Sequence, residues 1–324
     1  MSRPPAIVAR SVSAFGVVAA LSLTLAGCSS SPVRAYVDDA IAILDKGLYA
    51  DTPKWAAAVA RLRPELYEKD SIRETYFGIG ELGRVAGGAH TFLVDPGSAA
   101  AMEKATAPDA IFPVPTVSTR DGISTVTLPA FSADEQESIN RYQDTGVGAV
   151  RSAASATSCG WIIDLRTNSG GSAYPMLSTI APLLHDGHVL GFRDRYEKTE
   201  WIDVANGNVH APASYGVQSA TADFSISQPV AIVTGPITAS AAETVVVAFA
   251  GQAQTVRIGD PTAGMTTAND TFDLPDGAFI ALSIAYYVDR DQTVYDGPIE
   301  PDIPHPSPPT TVLDAASDWL RSQC

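Results

Sequence analysis

Strands and helices that alternate from Gly160 onward predict an α/β fold, and two buried runs with the turns that end them carry that expectation. Trp161-Ile162-Ile163-Asp164-Leu165-Arg166 has apolar residues running through it, as a strand covered on both faces requires. Pro229 to Thr234 (PVAIVT) is a second run of this kind. Each stops at a turn of small residues, Thr167-Asn168-Ser169-Gly170-Gly171 in the first case and Gly235-Pro236-Ile237-Thr238 in the second. Each turn then leads into a helix-forming stretch, Tyr174 to Leu184 and Ala241 to Ala250, the latter closed by Gly251.

Ahead of this core, Val37, Ala40, Ile41, Leu44 and Leu48 recur at helical spacing, and Thr52-Pro53 opens a second helix through Trp55, Val59 and Leu62. Ser71-Ile72-Arg73-Glu74 is a capping box for a third, which ends near Gly87-Gly88. A short strand signal, Ala89 to Val94, has His90 near its start, whereas Pro96 to Arg120 takes no assignment. Ile123 to Leu128 alternates like a strand, and Ser132-Ala133-Asp134-Glu135 caps a long helix to about Ala153. Arg193 to Phe224 has the composition of a polar connector with weak strand content. Thr255 to Gly259 and Ala278 to Tyr287 predict two more strands, Pro301 to Pro309 a proline-rich crossing, and Thr311 to Ser322 a last helix.

With 45% hydrophobic and 18% charged residues, the 324-residue chain has ordinary globular composition. Its formal charge of −15 becomes −17 once Arg3 and Arg10 leave with the leader, which excludes nucleic acid as a natural partner. Those arginines precede an apolar run, Ala14 to Leu25, that is too short for a membrane-spanning helix but suits a secretory signal. The run ends in Leu25-Ala26-Gly27-Cys28, which resembles a bacterial lipobox, with Cys28 as the lipid-bearing first residue of the mature chain and Ser29 to Pro32 as a tether. The expected organisation is a leader at 1–27, a tether and helical unit at 28–88, and an α/β core at 89–324. The mature protein is then exported and held on the outer face of the cell membrane by its lipid. Cys159 and Cys324 remain as thiols in an oxidising compartment, where they either pair or stay as two lone cysteines.

In α/β sheets, sites gather at the C-terminal ends of strands, where both turns described above lie. Ser240 falls at the N-terminus of the second helix, where unpaired backbone N–H groups and the positive end of the helix dipole stabilise an alkoxide and an adjacent oxyanion. From this stretch alone the plainer reading is that Ser240, or Thr238, is only a helix cap, and what overturns it comes from elsewhere in the chain. The Gly170-Gly171 pair lets backbone amides approach a substrate with no side chain in the way. His185 and His188 stand three apart but lack a third metal ligand nearby, so no metal and no organic cofactor is expected.

Five stretches occur in a telling order: Ile162-Ile163-Asp164-Leu165-Arg166-Thr167-Asn168-Ser169-Gly170-Gly171, Thr238-Ala239-Ser240-Ala241-Ala242-Glu243, Ile258-Gly259-Asp260-Pro261-Thr262-Ala263-Gly264, Leu274-Pro275-Asp276-Gly277 and Ile299-Glu300-Pro301-Asp302. Together they resemble the carboxy-terminal-processing, or tail-specific, serine proteases over about residues 120–305. The resemblance implies a ClpP/crotonase-like core, Ser240 as nucleophile, and an oxyanion hole made by the Gly170-Gly171 turn and the Ala241 amide. The commoner branch of that family takes a lysine base just past a Thr-x-Gly turn. Here Met265 follows Thr262-Ala263-Gly264, and the last of the five lysines is Lys198.

The other branch, which resembles tricorn protease, draws a histidine from a short motif before the core, and Gly88-Ala89-His90-Thr91 fits that place. A neutral imidazole can take the serine proton at neutral pH, which an unshifted lysine cannot, so His90 is the expected base. By the same resemblance Asp296 is the first choice, and Glu300 the second, for the carboxylate that orients it, although Ala89 replaces the serine that tricorn-like sites carry. Glu243 is expected to brace the loop or cap the helix, and Asp164 and Arg166 to make structural hydrogen bonds. The span from His90 to Ile123 is too short for the PDZ domain common in the family. The implied activity is hydrolysis of peptide or protein substrates. The alternative is a non-catalytic binding lipoprotein on the same fold.

Overall fold

In the computed structural model the described residues are 31–106, 112–133, 135–212, 221–305 and 309–324, so the leader and Cys28 lie outside them. The chain opens with α1 (Pro32–Leu44), α2 (Pro53–Tyr67) and α3 (Tyr76–Gly87). Thr52 caps α2 by accepting the Trp55 amide at 3.3 Å, with Pro53 in the first turn, where its missing N–H costs nothing. The Ser71 box begins a 3-10 turn, Ile72–Thr75, that runs into α3, and Gly88 closes α3 at φ 82°. Buried Val37, Ile41 and Leu44 of α1 pack with Trp55, Leu62, Ile79 and Leu82.

Next come β1 (Phe92–Val94), α4 (Pro96–Ala105), β2 (Thr116–Arg120), β3 (Ile123–Thr127), α5 (Gln136–Ala154), β4 (Gly160–Asp164) and α6 (Ala173–Ile180). His90 precedes β1, in a turn closed by the Thr91 amide on Gly88 O. Helix α5 opens at Gln136 with Glu135 as its N-cap, later than the expected Ser132 start, and Asp134 of that motif lies outside the described residues. Strands β5 (Gly187–Asp194), β6 (Thr199–Ala205) and β7 (Asn208–His210) are followed by β8 (Val230–Thr234) and α7 (Ala241–Ala248). The chain then finishes with β9 (Thr255–Gly259), β10 (Thr267–Asp273), β11 (Phe279–Val288), β12 (Val294–Tyr295), β13 (Ile303–Pro304) and α8 (Pro309–Gln323).

Two sheets organise these elements. One has the order β13-β9-β8-β4-β3-β2, parallel throughout except for β2. Strand β4 is central, with Ile163 level with Val126 on one side and Ile232 on the other. Trp161, Ile163 and Leu165 join a core with residues of α5, α6 and α7, whereas Ile162, Ala231 and Val233 pack with Val312, Ala316 and Leu320 of α8. Both faces of the sheet are therefore covered by helices, which is why β4 and β8 read as continuous apolar runs.

The second sheet is antiparallel, in the order β1-β11-β5-β6-β7, with β10 and β12 also paired to β11. The weak strand content of the connector from Arg193 to Phe224 becomes β6 and β7, and Thr267–Asp273 forms a strand that sequence alternation did not mark. In β6 the buried Ile202 and Val204 alternate with half-buried Trp201, Asp203 and Ala205. The N-terminal helices share their core with this sheet through Ile280 and Leu282 of β11.

Cys159, just before β4, is disulfide-bonded to Cys324 at the end of α8, with Cα atoms 5.3 Å apart and a sequence separation of 165. The bond ties the helix that covers one face of the parallel sheet to that sheet's central strand. In the chain-entropy model a loop of this size contributes about 5 kcal/mol, and measured values of about 2–5 kcal/mol are usual. Replacing Cys324 with Ser is expected to lower unfolding free energy by about 2–5 kcal/mol in denaturant titration. Non-reducing peptide mapping should recover one linked pair, and two alkylatable thiols would refute the bridge.

Candidate active site

Neighbouring parallel strands β4 and β8 deliver the two turns to the same end of the sheet. Thr238, fully buried, locks them together: its hydroxyl donates to Leu165 O at 2.9 Å and accepts the Gly235 amide at 2.9 Å. The Ala239 amide donates to Asn168 O at 3.2 Å. Ser240 then adopts φ 52° and ψ −115°, a backbone region that costs a non-glycine residue about 1–3 kcal/mol. Such strain on a polar residue at a strand-to-helix turn is the geometry of a nucleophile elbow, where the side chain is presented at the top of the sheet.

What holds the strained residue is Glu243. Its carboxylate accepts the Ser240 amide at 2.7 Å, the Thr262 hydroxyl, the Gly264 amide at 2.8 Å and the Met265 amide. The side chain is fully buried, and desolvation raises its pKa while these hydrogen bonds pull it back down. Glu243 therefore braces the loop, one of the roles its position had suggested.

Gly170 faces the serine directly. At φ 103°, a Cβ there would lie 2.8 Å from Ala239 O and 3.0 Å from Ser240 Cβ. A Cβ on Gly171, at φ 114°, would fall 1.9 Å from Phe131 O, so neither position admits a side chain. Buried Asn168 shapes this turn: its Oδ1 accepts the Gly170 amide at 2.9 Å and its Nδ2 donates to Leu128 O at 3.0 Å. Because the Gly170 N–H is thus engaged, Gly171 and Ala241 supply the amides left without an intramolecular acceptor among the described residues. Free backbone amides on the two turns beside a nucleophile are the kind of donor an oxyanion needs.

His90 is half-buried. Its Nδ1 lies 3.1 Å from both the carbonyl oxygen and the hydroxyl of Thr267, while its own carbonyl accepts Asn269 Nδ2 at 2.7 Å. A carbonyl can only accept, so the neutral imidazole carries its proton on Nδ1 and keeps the Nε2 lone pair for a base's work. Burial lowers the pKa from 6.5, with the Thr267 contact opposing it. Glu243 grips Gly264 and His90 grips Thr267, three residues further on, which puts serine and histidine within reach of one short segment. No hydrogen bond joins Ser240 to His90 among the described residues.

Asp296 is not on the imidazole. Exposed at the surface, it accepts the Tyr49 hydroxyl at 3.1 Å, and Thr267 fills the orienting place foreseen for a carboxylate. Glu300 is exposed as well. Sequence reasoning missed both Thr267 and Tyr287, a phenol buried on β11 whose pKa burial pushes up and whose hydrogen-bonding neighbour is the Ser240 side chain. Neither belongs to a sequence motif, because each reaches the site through strand pairing. Asp164 and Arg166 pair with each other at the end of β4, at 2.7 and 2.9 Å. His188 pairs with Asp203 and stacks on Trp201, and among the described residues no group of three or more His, Cys, Asp or Glu side chains is placed to hold a metal ion.

The chain is similar to known proteins along most of its length. The nisin-resistance protein of Lactococcus lactis subsp. lactis is 27% identical over 294 residues, spanning 90% of this chain and 87% of that protein. A lipoprotein from Streptococcus agalactiae of known structure is 26% identical, with a TM-score of 0.76 over 90% of this chain and 97% of its own. The photosystem II D1 C-terminal processing protease shares the fold, at 14% identity and a TM-score of 0.59 over 85% of this chain and 94% of its own. The model of peptidase family S41 matches residues 122–305, the span that holds both turns, Ser240 and the Thr262–Gly264 turn. On that match the chain belongs to peptidase family S41.

Proposed function

We propose that this protein is an exported, membrane-tethered serine endopeptidase. Ser240 Oγ attacks a peptide carbonyl, His90 Nε2 takes the hydroxyl proton and returns it to the leaving amine, and the Gly171 and Ala241 amides hold the oxyanion. The observation that carries this reading is the strained Ser240 backbone, set beneath Gly170 and held by Glu243. Strain of this kind persists where the surrounding structure over-determines it, and such places cluster at functional sites. Asp296 stands outside this mechanism, with Thr267 orienting the base instead.

Attachment through Cys28 keeps the enzyme at the outer face of the membrane, on the evidence of the lipobox-like Leu25-Ala26-Gly27-Cys28 and of similarity to a streptococcal lipoprotein. Similarity to a nisin-resistance protein supports action at the cell surface on a peptide that reaches it from outside. The lipid-tethered unit is then the helical segment after the tether, within 28–88, and the catalytic core spans 89–324.

One observation favours a second reading, a binding lipoprotein without catalysis: Ser240 and His90 are not hydrogen-bonded to each other. A fluorophosphonate probe separates the two. Labelling at Ser240, abolished in Ser240→Ala and reduced about 100-fold or more in His90→Ala, is the expected result. An unlabelled, folded protein would hand the site to the binding reading.

The histidine also sets a pH dependence. Because burial penalises the cation, the neutral base persists below the ordinary value of 6.5; activity is full above that pH and declines as pH falls through the lowered pKa. The acid limb of kcat/KM should have its midpoint below 6.5, and a midpoint above it would argue against His90. Replacing Glu243 with Gln should destabilise the fold by about 1–3 kcal/mol in chemical denaturation, because an amide nitrogen cannot accept the donors a carboxylate satisfies. Probe labelling should fall with it, and unchanged stability would remove Glu243 from its bracing role.

A further inference from the structure

Two large apolar side chains stand exposed on the loops that frame the nucleophile. Ile237 is 53% exposed and Met265 39%. Their loops come from different parts of the chain, one following β8 and the other leading into β10, yet they are tied at two points. The Ala263 amide donates to Thr238 O at 2.9 Å, one residue from Ile237 and two from Met265. The Glu243 carboxylate clamps Ser240 on one side and Gly264 and Met265 on the other.

Met265 stands between two anchors. Its amide shares the carboxylate that holds Ser240, and two residues later Thr267 holds His90. In a chain that keeps its Leu, Val and Ile side chains largely inside, apolar groups set on both loops beside a nucleophile have little to gain from water. They gain when a substrate side chain covers them.

We propose that Ile237 and Met265 form the two walls of an apolar subsite beside Ser240, and that it selects peptides carrying a large apolar side chain next to the scissile bond. This deepens the peptidase reading and rests on it. The occupant is a substrate side chain rather than a partner protein, because the two loops are joined through Glu243, the residue that holds the Ser240 backbone. Glu243, Thr238 and Ala263 hold the walls at a fixed separation, so the subsite measures the size of what enters as well as its polarity. Where the commoner branch of the family carries a lysine, this chain has placed a thioether, whose flexible, polarisable chain adapts to apolar side chains of different shape.

The test is a cleavage profile on the mature protein, read by mass spectrometry over a peptide pool that varies the residues flanking each bond, with fluorophosphonate labelling of Ser240 run on the same preparation. The wild-type protein should favour bonds flanked by Leu, Met or Phe over those flanked by Asp, Lys or Gly. Met265→Ala and Ile237→Ala should each lower kcat/KM for the apolar substrates by about tenfold or more, while cleavage of the poor substrates changes little. Met265→Glu should move the preference toward Lys and Arg, a gain that a merely damaged fold cannot produce; thermal melting confirms that each variant is folded. Labelling and cleavage with no apolar preference, or with a profile unaltered in all three variants, would overturn the subsite and leave the peptidase reading in place. Absence of both labelling and cleavage in the wild-type protein would overturn the peptidase reading, and the subsite with it.

Discussion

A single buried carboxylate holds the site together. Glu243 lies one helical turn into α7, cut off from water, and such a group is costly unless its oxygens are satisfied. Here the donors are the amides of Ser240, Gly264 and Met265 and the hydroxyl of Thr262. Each of them is thereby placed. The strained turn at Ser240 is held from its own N–H, and the segment that leads to the histidine's partner is held a carboxylate's width away. Removing the charge would take away the acceptor these donors share and leave the loops to the Thr238 and Ala263 bonds.

The chemistry of the base follows from what touches its far nitrogen. A carboxylate there would stabilise imidazolium by direct charge pairing, whereas the Thr267 carbonyl fixes the tautomer and orientation with only a dipole. Burial opposes that weak pull and lowers the pKa, which favours the neutral ring. His90 is thus organised as an acceptor at neutral pH. On the oxyanion side, Asn168 occupies the Gly170 amide, which leaves the amides of Gly171 and Ala241 as the donors in the proposed mechanism.

The scaffold beneath is built so that these loops cannot drift. Parallel β4 and β8 are flanked by strands on both sides and covered by helices on both faces, with α8 fastened by the Cys159–Cys324 bridge. The antiparallel sheet contributes the other half of the site, since β10 carries Thr267 and β11 carries Tyr287. Helices α1 to α3 pack on that sheet through Ile280 and Leu282, so they buttress the strand that pairs with β10.

The linear order of residues determined the parallel core, because a strand buried on both faces must be apolar along its centre, as Trp161 to Ile163 and Val230 to Val233 are. It determined where the turns fall, through Gly170-Gly171 and Gly235-Pro236, and it put Ser240 at a helix start, where the family resemblance singled it out. It also pointed to His90 and to the pairing of Cys159 with Cys324. Tertiary structure alone decided how the base is oriented. Asp296 and Glu300 were the partners the family resemblance offered, but Asp296 lies at the surface against Tyr49, while β10 pairing with β11 brings Thr267 to the imidazole. No periodicity announces that contact, for β10 is largely polar and takes its strand form from β11 beside it. Local pattern reports which face of an element is buried; which side chains meet across a site is fixed by strand register between segments far apart in the chain.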